Sequence, residues 1–213
     1  MPTTPVAWYF DFVSPFAYLQ WPKVRALMAR EPVTLRPILF AGVLDHLGLT
    51  GPAEIPAKRL FTYRIAQWRA GREGVPLRFP PAHPFNPLAA LRLCIAAGTT
   101  PDAVDALFDW IWRDGNAGDS IEALAPVAQR LGIDDPAAAI ADPAVKAQLK
   151  ANYEAALAAQ VFGVPTLTVG GDAFWGSDAA HELAEAVIAD PGVLETPEMR
   201  RLRDLPVGAR RRG

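Results

Sequence analysis

Four short segments of the 213-residue chain hold residue types that can do chemistry. Ser14 follows an apolar run and precedes Pro15, the order that makes a serine the N-cap and a proline the first residue of a helix. Its hydroxyl then stands beside unpaired helix N–H groups, whose partial positive charge favours an anion. A plain structural cap and an anion site both satisfy this pattern. A capping box would place Glu or Gln three residues on. Here Ala17 stands there, and the first turn (Pro15, Phe16, Ala17) holds no acid, so the positive end is free for an external anion. Val-Ser-Pro-Phe (13–16) is not the G-x-S-x-G elbow of a hydrolase nucleophile.

The second segment is Gly163-Val164-Pro165-Thr166, just before a strand-like run. A trans bond is the ordinary state of Pro165. A cis bond would turn the Val164 backbone outward, with its N–H and C=O open to an extended peptide ligand. In the third, Trp175-Gly176-Ser177-Asp178, Ser177 is expected to cap a last helix, with Asp178 as a first-turn acid. The same pair could hold an amino group on Asp178 and a neighbouring carboxylate on the helix N–H groups. The fourth combines AEIPAKRLF (53–61) with HPFNPLAALRL (83–93). Lys58 and Arg92 are cations on amphipathic helices, and His83 and Asn86 lie in a proline-stiffened loop where Asn86 has a cap's position.

Composition narrows the classes. With 51% hydrophobic and 21% charged residues the chain is ordinarily globular, and its length suits one large or two small domains. Its single cysteine, Cys94, sits mid-helix among apolar neighbours as a small core residue, so neither an internal disulfide nor a two-thiol redox site can form. His46, His83 and His181 are scattered, at no zinc-like spacing. Residues 200–213 carry six arginines and one aspartate, net +5, which leaves −7 on residues 1–199. The tail reads as a solvated terminus, and the acidic body offers no basic groove for nucleic acid. No apolar run reaches the ~18 residues of a membrane span, and the first residues lack a signal-peptide pattern. A cytoplasmic protein without nucleic-acid or membrane partners is expected.

The elements that must position these residues follow from pattern. VAWYFDF (6–12) reads as a buried strand, followed by a helix from Ser14 to about Arg30 that Pro22 kinks or breaks. VTLRPIL (33–39) is a weaker strand, and 40–55 a loop with a short helical turn. Helices are expected over 56–72, after the cap Asn86 with Pro87 opening and Gly98 closing, and near 101–114, 120–131 and 143–160. A hairpin of strands 166–169 and 172–175 turns at Gly170–Gly171. A β-α-β unit and an α-β-β-α unit sharing one sheet make an α/β, thioredoxin-like fold with an all-helical insertion. The boundaries are 1–54 with 141–190 for the thioredoxin-like domain, 55–140 for the insertion, and 191–213 for a partly flexible tail.

Taken in order, YFDFVSPFAYL (9–19), PAKR (56–59), HPFNPLAALR (83–92) and VFGVPTLTVGGDAFWGSD (161–178) resemble the glutathione-dependent 2-hydroxychromene-2-carboxylate isomerases, close relatives of the kappa-class glutathione transferases. The resemblance spans residues 6 to 190. It implies a cis Pro165, a homodimer and glutathione as cofactor. By the same resemblance Ser14 holds the glutathione thiolate, where redox relatives have a cysteine. Val164, before Pro165, pairs through its backbone with the cysteinyl unit. Gly176, Ser177 and Asp178 hold the γ-glutamyl end, with Asp178 on its ammonium. Lys58 stands near the ligand, and Phe85 and Asn86 line the pocket of an unsaturated aromatic carboxylate. Arg92 and His83 are reserve cations for that carboxylate.

The chain departs from the family at Ile65 and Trp68, where many members have Asp and Arg, and at Ala179, where many have a basic residue. These changes bear on the second substrate and on the edge of the glutathione site. The implied reaction is reversible conjugate addition with glutathione regenerated. A transferase that releases the conjugate and a non-catalytic glutathione-binding module are the alternatives.

Overall fold

The computed structural model describes residues 4–209, and strand β1 (Val6–Phe10) lies at the middle of its sheet. Period-two alternation sends Trp8 and Phe10 to one face and Tyr9 to the other. Both faces are buried, which is why the strand carries no charged residue. Helix α1 (Pro15–Met28) leads to β2 (Val33–Pro37), parallel to β1. On the other side β3 (Thr166–Val169) runs antiparallel to β1, and β4 (Asp172–Trp175) closes the order β2-β1-β3-β4. Gly170 and Gly171, with φ of 59° and 107°, make the two-residue turn. The thioredoxin-like sheet with an inserted helical segment is therefore as read from the sequence.

Between β2 and β3 run α2 (Phe40–Leu47), α3 (Pro56–Glu73), α4 (Leu88–Ala96), α5 (Pro101–Phe108), a π-helical turn (Asp109–Arg113), α6 (Ile121–Arg130), α7 (Pro136–Ala141) and α8 (Pro143–Ala158). Tyr9 packs with Ile38, Val43 of α2, Ala156 of α8, Val161 and Val164. The Trp8 face packs against α1 and against α9 (Ala179–Ala189), and its apolar cluster continues unbroken through Leu91, Leu107, Phe108 and Trp112. Phe12 meets Phe108 at 4.8 Å between ring centroids, while Trp8 stacks on Phe10 at 4.3 Å. The insertion thus shares the core of the sheet.

Several local expectations need correction. The segment 40–55 holds a full eight-residue helix, α2, whose N-cap Leu39 makes no side-chain bond and so left no capping signal. α7 was not expected either. Helix α4 starts at Leu88, with the Asn86 carboxamide oxygen accepting the Leu88 N–H (3.1 Å) from outside and Pro87 in the N-cap position. Pro22 does not break α1. A mid-helix proline costs ~3 kcal/mol, but Tyr18, Leu19, Trp21, Val24 and Leu27 are buried around it, each contributing about 1.5–3 kcal/mol. The tail forms a 3-10 turn (Pro191–Leu194) and α10 (Pro197–Arg203), whose Arg200 and Arg203 pair with Glu195. The last arginines, 210–212, lie outside the described residues. Among the described residues no helix is long and apolar enough to cross a membrane.

Candidate active site

The loop from Asp11 to Ser14 leaves the C-terminal end of β1. Asp11 is fully buried, and its two carboxylate oxygens accept the backbone N–H groups of Val13 (3.0 Å) and Phe40 (2.9 Å), which ties the loop to the start of α2. Burial pushes its carboxyl up to about 7, against the opposing pull of those N–H bonds. Ser14 donates its N–H to the Asp11 carbonyl (3.1 Å), and its Oγ accepts the Ala17 N–H (3.2 Å). Cap and anion readings of Ser14 are therefore compatible. The cap uses an oxygen lone pair, whereas an anion would take the hydroxyl hydrogen. The first turn of α1 contains no acid to compete.

Two side chains of the insertion reach the same loop. Trp112, in the π-helical turn, donates its indole N–H to the Phe12 carbonyl (2.7 Å). His83 Nε2 donates to the Val13 carbonyl (2.8 Å); a carbonyl only accepts, so Nε2 carries the hydrogen. His83 Nδ1 faces the Tyr63 hydroxyl (2.9 Å), which donates to the His83 carbonyl (2.6 Å). Burial holds the imidazole below its usual range. Its one N–H is committed to the Val13 carbonyl and burial disfavours the imidazolium, so His83 is placed as a structural donor.

Across the site, Val164–Pro165 is cis. Tyr9 pairs with Thr166, the residue that follows Pro165, and Val164 packs in the same apolar cluster as Tyr9. Val164 lies outside the ladder, and among the described residues its N–H and C=O form none of the loop hydrogen bonds. The Pro165 carbonyl accepts the Gly176 N–H (3.0 Å), and Gly176 adopts φ 121°, which only glycine takes without strain. Gln20 of α1 donates to the Gly176 carbonyl (2.9 Å), accepts the Trp8 indole N–H (2.7 Å) and faces His181 Nδ1 (3.2 Å). The Ser177 carbonyl accepts from Lys23 (3.0 Å) and from Arg69 of α3 (2.8 Å), and Arg69 also pairs with Asp178 (3.5 Å).

Ser177 does not cap α9. The helix starts at Ala179, Asp178 occupies the N-cap position without a side-chain bond, and the Ser177 Oγ is buried with no hydrogen-bond partner among the described residues. Lys58 is exposed in the first turn of α3 and makes no hydrogen bond or ion pair among the described residues. Phe85 is half-buried, with its ring 6.4 Å from that of His83, and Asn86 is exposed with its oxygen committed to α4. Arg92 buries its Nε without a partner.

Asp11, Gln20, Lys23, Arg69 and Trp112 hold the site and were not singled out in the sequence. Arg69 had one available signal, its place next to the divergent Trp68. Cys94 is buried, its thiol pushed up by desolvation, and no cluster of potential metal ligands occurs among the described residues.

Comparison with known proteins agrees with this architecture. Residues 5–187 match the model of the DSBA-like thioredoxin domain. The chain is 30% identical over 190 residues, 85% of its length and 93% of the relative's, to a 2-hydroxychromene-2-carboxylate isomerase of Pseudomonas putida. A Sphingobium xenophagum protein of the same name is 28% identical over 184 residues, covering 83% of this chain and 94% of that one. A solved structure of a 2-hydroxychromene-2-carboxylate isomerase superposes with a TM-score of 0.71 at 28% identity, over 95% of this chain and 99% of that one. A probable DsbA oxidoreductase of Streptomyces coelicolor shares the fold, with a TM-score of 0.63 at 18% identity over 89% of this chain and 90% of that one. The chain belongs to the 2-hydroxychromene-2-carboxylate isomerase family, within the DSBA-like thioredoxin domains.

Proposed function

We propose that the chain is a glutathione-dependent isomerase acting on an unsaturated aromatic carboxylate of the kind named in its relatives. The observation that carries the glutathione part is the Ser177 hydroxyl, buried and without a partner beside the uncapped start of an eleven-residue helix. Such an orphan costs about 1–3 kcal/mol, which a ligand completing its hydrogen bond recovers. Around it the α9 N–H groups suit a carboxylate, and Asp178, its side chain 69% exposed, suits an ammonium. The free Val164 backbone suits a peptide unit. An amino-acid end followed by a peptide unit is what the γ-glutamyl-cysteinyl part of glutathione presents.

Bound there, glutathione supplies a thiolate that adds to and leaves an activated carbon–carbon double bond, so that the bond can rotate without net consumption of the cofactor. The residues of the chain have separate roles in this reading. The Ser14 hydroxyl and the α1 dipole lower the thiol pKa and hold the sulfur anion. Lys58, an exposed cation without an ion pair among the described residues, takes the substrate carboxylate and the negative charge that develops on it. Phe85 lines the aromatic pocket, where the Asn86 amide N–H₂ is still free to donate. Turnover of an unsaturated aromatic carboxylate with limiting glutathione tests the reading. Many turnovers per glutathione, with its thiol undiminished, are expected. Loss of one thiol per turnover would make the protein a transferase, and binding without turnover a binding module.

A further inference from the structure

The Phe12 and Val13 carbonyls directly precede Ser14, and each is covered by a hydrogen-bond donor that arrives from the insertion, Trp112 at 2.7 Å and His83 at 2.8 Å. A carbonyl oxygen carries partial negative charge, and left uncovered beside Ser14 it would oppose any anion held there. The peptide plane between Val13 and Ser14 is gripped at both ends, its C=O by His83 and its N–H by the Asp11 carbonyl (3.1 Å). That plane sets the direction of Ser14 as it enters α1. His83 is itself held by Tyr63 of α3, whose hydroxyl donates to the His83 carbonyl at 2.6 Å, and its ring lies among Phe79, Tyr63 and Trp112.

We propose that His83 is a positioning residue for the anion site at Ser14, acting through the Val13 carbonyl and tying the electrostatics of that site to the insertion. The proposal deepens the glutathione reading and rests on it for the identity of the anion, but the grip on the loop exists without ligand. His83→Phe keeps an aromatic ring and removes the donor, whereas His83→Gln keeps an N–H donor at similar reach.

Two measurements on the full chain decide the matter. In the ligand-free protein, amide hydrogen exchange over residues 13–17 is expected to quicken about tenfold in His83→Phe and to stay near wild type in His83→Gln. With glutathione bound, the pH at which the ultraviolet thiolate absorbance appears is expected to rise by about one unit in His83→Phe and to return in His83→Gln. In the same variant kcat should fall while KM for glutathione changes little, because the γ-glutamyl end lies at Ser177 and Asp178. Exchange and thiolate titration both unchanged in His83→Phe, with only the melting temperature moved, would overturn the proposal. If wild type shows no thiolate band, the glutathione reading falls and exchange alone decides the role of His83. Should His83→Phe fail to fold, His83→Asn replaces it, since its shorter amide cannot span to Val13; exchange like that of His83→Gln would then overturn the proposal.

Discussion

Helices α1 and α9 begin on either side of the site, and their first turns are built in opposite ways. At α1 the Ser14 Oγ caps the Ala17 N–H, the preceding backbone is held by Asp11, and the loop carbonyls are covered by Trp112 and His83. At α9 Asp178 makes no cap, and the Ser177 Oγ is buried without a partner. Bonds from α1 nevertheless fix the α9 approach, Gln20 to Gly176 and Lys23 to Ser177, so the open turn is held in place. One end is finished before any ligand arrives and suits a small anion. The other keeps unsatisfied groups for the polar end of a larger molecule.

The largest expected effect tests the finished end. Ser14→Ala should lower turnover about ten- to thousand-fold, as loss of one preorganised donor does, while costing only about 1 kcal/mol of stability as a lost cap. Steady-state rates beside urea unfolding separate the two effects; a stability loss alone would leave α1 as a plain capped helix. The open end should respond in reverse. Ser177→Ala removes a buried hydroxyl that has no partner among the described residues, so stability should rise by about 1 kcal/mol while glutathione affinity falls about tenfold. Melting curves and titration check both halves, and a marked loss of stability would refute the open-end description.

Asp11 sharpens the comparison through pH. Burial raises its folded carboxyl from 3.8 to about 7, so above pH 4 the folded state holds a proton that the unfolded chain has released. Its contribution is full below the unfolded value and is lost as pH rises through 7, by about 1 kcal/mol between pH 6.5 and 8.5. His83 and His181, held below the usual imidazole range by burial, act at the acid end, where stability falls as pH drops below about 6.5. Urea unfolding across this range should show the alkaline decline in wild type and a flat profile there in Asp11→Asn. The smallest effect belongs to the proposed substrate cation: Lys58→Gln should raise the KM of the carboxylate substrate about fivefold, as for one exposed ion pair, and leave glutathione affinity unchanged. Steady-state kinetics beside a glutathione titration checks it.

What was legible in the sequence was local. Ser14 with Pro15, the Gly170–Gly171 turn and the apolar alternation around Trp8 each carry their own chemistry within a few residues, and all were placed correctly. Helix α2 escaped because Leu39 gives no capping signal, and Ser177 was assigned to a helix that starts two residues later. The clasps of the site are long-range: His83 meets Val13 across 70 residues, Trp112 meets Phe12 across 100, and Arg69 meets Ser177 across 108. No periodicity connects such partners, because the fold alone makes them neighbours. Asp11 was hidden differently, as one polar residue in an aromatic strand motif whose carboxylate turns inward to two backbone N–H groups.

The most direct test of the account is calorimetric titration with glutathione and with S-methylglutathione in two buffers of different ionisation enthalpy. Binding of glutathione with proton release, and binding of the methylated analogue without it, is the predicted result: the α9 end recognises both ligands and the α1 end makes a thiolate of one. Binding of neither ligand would contradict the account, and equal binding with no proton release would remove Ser14 and α1 from it.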